Sequence, residues 1–301
     1  MLLYSKCMCC LVNQQERLIE NFKDEEKKTA FMREVMALLG SSGPEHNAPW
    51  MGAMLTELRE KYYGKDEKIA QMKQEFNQLL LEMEPELQQE IQKSQDTLKE
   101  AIRFARIGNY IDFSAVEHVT KEEFLELFRR EKDQLDEAEY GHLCQELAEA
   151  SSLVYIMDNC GEIVLDKIVL RELKKAYPQL HITAMVRGED AINDATMEDA
   201  RMVGITEEVP VITNNSSIQG VIYSKLTEEG KKILDSADLI LSKGQGNFES
   251  LHGCGKNIYY LFLCKCQHFS KKFGVERFQG MLINERRVSL VSDFMSNSIS
   301  K

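Results

Sequence analysis

Three polar corners hold the side chains of this sequence best suited to chemistry. Asp158-Asn159 follows the apolar run Leu153–Met157, Asp194 lies in the stretch Arg187–Thr196, and Ser242-Lys-Gly-Gln-Gly-Asn247-Phe-Glu249 follows a further apolar segment. A carboxylate beside an amide oxygen offers two hard donors, which suit magnesium or manganese better than zinc. Asp158 and Asn159 are therefore expected to seat a divalent cation, with a third ligand from a neighbouring corner. Asp194 is the candidate; Asp190 or Asp199 could take its place, and Asp194 could instead cap the helix running toward Val203. The glycines of the third corner let backbone N–H groups approach an anion, and Lys243 adds a mobile cation for a phosphate oxygen. That lysine precedes the glycines and no Ser or Thr follows it in the required place, so the corner is not a Walker loop. Glu162 and Asp166, one turn apart in the helix after Gly161, are read as structural, since a helix start favours an acid regardless of function.

Other chemistries lack their signatures. No G-x-G-x-x-G follows the first strand, which argues against a dinucleotide cofactor, and no G-x-S-x-G elbow marks a serine hydrolase. Cys160 has no adjacent histidine to activate it and is not expected to be a nucleophile. Cys7-x-x-Cys10 has the spacing of half a zinc site or of a redox pair. A structural zinc site wants four ligands. Cys264, Cys266, His46 or His252 could complete one only through the fold, and a reduced, partly buried cluster is the expectation. The net charge of −12, from 49 acidic and 37 basic residues, opposes a nucleic acid partner. A local cation can still reverse the field inside one cleft for a small anionic metabolite. No apolar run approaches the length of a membrane span, and eight cysteines without a secretory leader suggest free thiols in a reducing cytoplasm.

The texture of the chain changes at about residue 150. Its 301 residues, 43% hydrophobic and 29% charged, suit one large soluble domain or two ordinary ones. Residues 1–150 read as an α-helical region. Leu11, Leu18 and Phe22 share a face, as do Phe31, Val35 and Leu38. Leu87, Ile91, Leu98, Ile102 and Ala105 mark one long helix with a left-handed stop at Gly108-Asn109. The charge-rich span Glu122–Glu149 reads as a helix with a solvated face. Residues 151–301 read as an α/β metal-binding catalytic region. Short strands at Leu153–Met157, Leu180–Val186, Val209–Ile212, Asp238–Leu241 and Ile258–Leu263 alternate with helical stretches, and Arg287–Val291 is a candidate edge strand. The expected fold is α/β: an open, mainly parallel sheet with flanking helices in Rossmann-like layering, plus the N-terminal α-helical region. Ligands in such a sheet bind outside the carboxyl ends of the strands, where all three polar corners fall.

In this order, Asp158-Asn159-x-Gly161-Glu162, Asn193-Asp194-Ala-Thr196 and Lys243-Gly-Gln-Gly-Asn-Phe-Glu-Ser250 resemble the motifs of the metal-dependent damage-control phosphatases, a family formerly catalogued as a domain of unknown function. Cys7-x-x-Cys10 and Gly108-Asn109-x-Ile-Asp-Phe113 resemble its stand-alone prokaryotic branch, and the similarity runs from about residue 7 to 270. The resemblance implies hydrolysis of phosphomonoesters of small metabolites, sugar phosphates or damaged phosphometabolites. It also implies a divalent ion: manganese or magnesium, with nickel or cobalt as further candidates. By motif, Asp158, Asn159 and Asp194 become the metal ligands. Gln245, Gly246, Asn247, Phe248 and Glu249 become the substrate cradle, with Lys243 beside it, and Lys265 is the nearest match to a substrate-touching lysine after the next strand. Asn109 and Asp112 would line the cleft mouth or serve as cap and turn. The implied catalytic residues are Asp158, Asp194 and Lys243: the aspartates assist proton removal from an attacking water, and Lys243 stabilises charge on the phosphoryl oxygens. Cysteine at position 160 breaks the D-x-D pattern of the aspartyl phosphatases, which favours water over Asp158 as the attacking group. Two rival readings use the same rim. One is an S-adenosylmethionine-dependent methyltransferase, although the glycine-rich first turn of such enzymes is missing. The other is a protein that binds a phosphometabolite without turning it over. The implied partner is a small phosphorylated metabolite in the cytoplasm, with neither nucleic acid nor membrane involved; the oligomeric state is left open.

Overall fold

Apolar residues at three- and four-residue intervals make the first part of the chain helical. In the computed structural model, which describes residues 1–109, 134–288 and 290, five helices occupy this part: α1 (Ser5–Leu18), α2 (Glu25–Gly40), α3 (Ala48–Tyr63), α4 (Lys68–Ile91) and α5 (Thr97–Gly108). Helices α1 to α3 close over their own cluster of Leu11, Phe31, Val35, Leu39, Met51 and Leu55. Asp24 and Asn47 start two of them, each accepting a backbone N–H three residues on. The span Glu122–Glu149 resolves, within the described residues, into α6 (Glu137–Glu149), which buries Tyr140, Leu143 and Leu147; Phe124, Leu125 and Phe128 lie outside them.

Strands β1 (Ser152–Ile156), β2 (His181–Val186), β3 (Val211–Thr213), β4 (Leu239–Lys243), β5 (Ile258–Leu263) and β6 (Gly280–Asn284) form one sheet of order β3-β2-β1-β4-β5-β6. β1 to β5 are parallel and β6 is antiparallel to β5. Every residue of β4 and β5 is buried, as in strands covered on both faces. The order reverses between β1 and β4, which opens the ligand crevice of an α/β sheet at their carboxyl ends. Helix α7 (Glu162–Ala176) follows β1 and is buried throughout its first two turns, with α4 and α5 packed on it. A single apolar cluster therefore runs from Phe76 to Leu282 through both textures of the chain.

Three expectations change. The helix expected across Leu87–Ala105 is two helices, because Asp96 ends the break after Ile91 by accepting the Lys99 N–H at 2.9 Å. The apolar rhythm crosses the break because Leu87, Ile91, Leu98 and Ile102 all face one core. Gly108-Asn109 is not a left-handed stop: Gly108 is still helical and Asn109 has φ −71°. A Cβ at Gly108 would lie 2.7 Å from Leu165 and 3.2 Å from Glu162 Cγ, so the glycine serves the close crossing of α5 over α7. The edge strand beside β5 is β6; of the span Arg287–Val291, Arg287 sits in the turn after β6, paired with Glu139 and Glu146, while Ser289 and Val291 lie outside the described residues.

Candidate active site

Backbone bonds tie the first two corners together before any side chain contributes. Cys160 N–H donates to Asn193 O at 2.8 Å, Ala195 N–H to Asp158 O at 2.7 Å, and Arg187 N–H to Ala195 O at 2.9 Å. Asn159 and Asp194 face each other across a single antiparallel bridge. The third corner approaches from β4. Gly244 has φ +84°, and a Cβ there would strike the Asp158 carboxylate, so only glycine lets the strand end run past it. Gly161, at φ +71°, is likewise pressed against Phe76 of α4, and its N–H donates to Asn77 Oδ1 at 2.6 Å.

The side chains form one connected network. Asp158 Oδ2 accepts from Asn109 Nδ2 at 3.0 Å and from Asn159 Nδ2 at 2.8 Å, and Glu162 Oε2 accepts from the same two amides at 3.0 and 2.9 Å. The fully buried Arg187 guanidinium reaches Asp158 Oδ1 at 3.5 Å, Asp194 Oδ2 at 2.5 Å and Asn247 Oδ1 at 3.2 Å. Gln219 Nε2 completes Asp194 by donating to Oδ1 at 3.1 Å. Burial, followed by the charges of Asp194 and Glu162, pushes the Asp158 carboxyl up to about 7, against the pull of Arg187 and Lys265. Burial also raises Asp194, with Arg187 and Gln219 opposing it.

Asp158, Asn159 and Asp194 are thus brought together on one side of the crevice. The rival placements for the third ligand are occupied. Asp199 forms a capping box with Thr196 and pairs with Lys73 at 2.9 Å, and Asp190 is solvent-facing against the same lysine at 3.2 Å. Thr196 rather than Asp194 caps the helix there, α8 (Met197–Met202). Among the described residues, no three His, Cys, Asp or Glu side chains are grouped to hold an ion, so a site here depends on the amide oxygen of Asn159. The donors present fit a hard dication. Asn159 Oδ1 accepts no hydrogen bond from a described residue, and two acids crowd beside a third whose ionisation is already opposed.

Lys243, expected to meet a phosphate oxygen, points away from the crevice into the interior. Its Nζ is fully buried and donates to Ala105 O at 3.0 Å, to Asp166 Oδ1 at 2.7 Å and to Glu162 Oε1, which uses all three ammonium protons. Burial works against its charge, yet Asp166 and Glu162 outweigh it and hold the lysine above its ordinary value. Phe248 points into an aromatic cluster with Tyr260, Phe262, Phe269 and Phe273, and it is not exposed. Asn247 pins Met157 O and Lys243 O from inside. Gln245 opens the short helix Gln245–Leu251 in the third corner; its Oε1 accepts from the Lys265 and Cys266 N–H groups, and its Nε2 donates to Glu249 at 2.7 Å. The Gly246 backbone lies against Gln219 O, where no side chain would fit. Lys265 is half-buried, makes no ion pair among the described residues, and acts on Asp158 through its charge. Asp112 lies outside the described residues.

Sequence reasoning left four contributors without a role or with the wrong one. Arg187 was visible as a polar corner, Glu162 as a helix start and Asn109 as a cap; nothing local marks Gln219. Cys160 is buried, and burial raises its thiol far above the ordinary range, as expected of an inert cysteine. Cys7 is buried while Cys9 and Cys10 are exposed, and all eight thiols are free.

A family model of the damage-control phosphatase ARMT1-like domain matches residues 3–280. The chain belongs to this family. A damage-control phosphatase of Archaeoglobus fulgidus is 31% identical over 271 residues, covering 88% of this chain and 89% of that protein. A damage-control phosphatase of Pyrococcus horikoshii, PH1575, is 27% identical over 278 residues, covering 90% and 94%. An uncharacterized protein of Methanocaldococcus jannaschii, MJ0202, is 30% identical over 283 residues, covering 90% and 91%. The fold is shared with the crystal structure of a DUF89 family protein from Pyrococcus horikoshii, at a TM-score of 0.79 and 24% identity, over 95% of this chain and 99% of that one. The family match spans all three corners of the site. No helix of the described residues is long and apolar enough to cross a membrane.

Proposed function

We propose that this member of the damage-control phosphatase family is a divalent-metal-dependent phosphatase of the cytoplasm, hydrolysing phosphomonoesters of small metabolites such as sugar phosphates or damaged phosphometabolites. The observation that carries the reading is the meeting of Asp158, Asn159 and Asp194 at the β1/β4 crevice, with the glycine corner after β4 pressed against the Asp158 carboxylate. These three residues would hold the ion, manganese or magnesium by the hardness of the donors. Bound there, a dication supplies charge compensation for the phosphoryl group and a lowered pKa for water.

The chain's own residues do the remainder. Asp158, held in place by the Asn109 and Asn159 amides and by Arg187, would assist removal of the attacking water's proton. Arg187 holds Asp158 and Asp194 in fixed relation, so neither must reorganise as charge develops. With Lys243 withdrawn into the interior, Lys265 and the backbone N–H groups of Gln245 and Gly246 are the groups left to meet phosphoryl oxygens. The test is p-nitrophenyl phosphate turnover by the full chain with manganese, with chelator, and in Asp158→Ala. The expected result is turnover with metal, none with chelator, and none in the variant despite an unchanged circular dichroism spectrum. Full metal-dependent turnover by Asp158→Ala removes the assignment.

A further inference from the structure

Glu162 presents a question that the phosphatase reading leaves open: why a fully buried acid stands directly behind the candidate ligands without facing the crevice. Both of its oxygens are engaged. Oε1 receives Lys243, and Oε2 receives the side-chain amides of Asn109 and Asn159. Those two amides also donate to Asp158 Oδ2. A carboxylate only accepts hydrogen bonds, so it fixes which end of an amide it meets. Asn159 must therefore turn Nδ2 inward to Glu162 and Asp158, and its Oδ1 is left for the crevice. Were the amide reversed, an N–H pair would stand where a cation needs an oxygen.

We infer that Glu162 is a positioning residue: clamped by Lys243, it sets the amide orientation of Asn159 and Asn109, and so presents the Asn159 oxygen and the Asp158 carboxylate for ion binding. The geometry explains why Lys243 lies in the interior. With Asp166 and Ala105 O taking its other protons, it neutralises Glu162 and stops the acid from rotating toward the crevice. Asn109 brings the end of α5 into the same arrangement, so the helical region helps orient a ligand set that it does not itself supply.

The inference rests on the metal-binding reading, and the experiment separates the two. Manganese is titrated into the metal-free full chain by calorimetry, with circular dichroism and melting temperature recorded for each variant. Glu162→Gln keeps the shape but places an NH2 group against either the Lys243 ammonium or the two asparagine amides. The ammonium retains the oxygen, the amides reverse, and manganese affinity falls about 10- to 100-fold, the range for partners that orient metal ligands. Asn109→Ala alters no charge and lowers affinity by about 10-fold, because Asp158 and Glu162 lose one of the two amides that donate to both. A folded Glu162→Gln with wild-type affinity overturns the inference while leaving the metal reading intact. Loss in Glu162→Gln with none in Asn109→Ala overturns it too, since only the charge of Glu162 would then matter. Should Glu162→Gln fail to fold, Asn109→Ala decides alone. A wild-type chain that binds neither manganese nor magnesium removes the metal reading and the inference together.

Discussion

Replacing Lys243 with methionine separates its two possible roles by their thermodynamic signatures. The ammonium is fully buried, and its three acceptors include two fully buried carboxylates, Glu162 and Asp166. Removing it leaves uncompensated buried charge, which costs about 3–5 kcal/mol. For a chain of this size that corresponds to a fall in melting temperature on the order of 10 °C. The deficit has a pH dependence of known sign. In the wild type the raised lysine contributes stability that is present below its unfolded value of 10.5 and persists until pH passes its still higher folded value, so at pH 8 the contribution is complete. Burial already raises Asp166 to about 6 against the pull of Lys243, and without the lysine it rises further. Its stability contribution is present below the unfolded value and lost as pH rises through the folded one, so the deficit is larger at pH 8 than at pH 5. Thermal unfolding at the two pH values, monitored by circular dichroism without metal, is the assay. A lysine that instead held phosphate from the crevice would leave melting nearly unchanged and raise KM. A variant melting within about 2 °C of wild type at pH 8 refutes the buried-clamp account.

Four further variants test particular contacts. Burial pushes Glu249 up to about 7, with the Gln245 donation opposing it, so its stability contribution is present below 4.5 and lost as pH rises through 7. Glu249→Gln therefore gains up to about 3 kcal/mol at pH 8 and nothing at pH 4, measured by urea unfolding. Gly244→Ala forces a Cβ against the Asp158 carboxylate at a positive φ; phosphatase turnover falls at least about 100-fold, with a loss of about 1–3 kcal/mol in stability. Phe248→Ala costs about 3–5 kcal/mol by opening the aromatic cluster, whereas Lys265→Ala leaves stability within about 0.5 kcal/mol and raises KM for a phosphomonoester. Steady-state kinetics beside chemical denaturation distinguishes the pair.

Much of the site's framework was legible because strand ends are legible. An apolar run terminating at Asp158, another before Arg187 and a third before Gly244 place their corners on one rim of a parallel sheet, whatever the neighbouring sequence. The sense of individual side chains was not. Lys243 and Gly244 are adjacent in sequence, yet the glycine abuts Asp158 in the crevice and the lysine crosses beneath to α7. A strand sends successive side chains to opposite faces, and which face holds the ligand follows only from the strand's register. Phe248 illustrates the same point on a helix: a motif position inside the cradle belongs to the core because its side of the turn faces β5.

The sequence by itself determined the layered α/β architecture, the crevice rim and the pairing of Asp158 with Asn159, since these depend on local periodicity and on residues next to each other in the chain. Tertiary structure alone decided that Asp194 meets them, that Arg187 spans both aspartates, and that Asn109 reaches Glu162. Each of those contacts joins segments far apart in sequence. Hydrogen-bond direction and charge compensation act over a few ångströms of space, and no spacing along the chain encodes that distance.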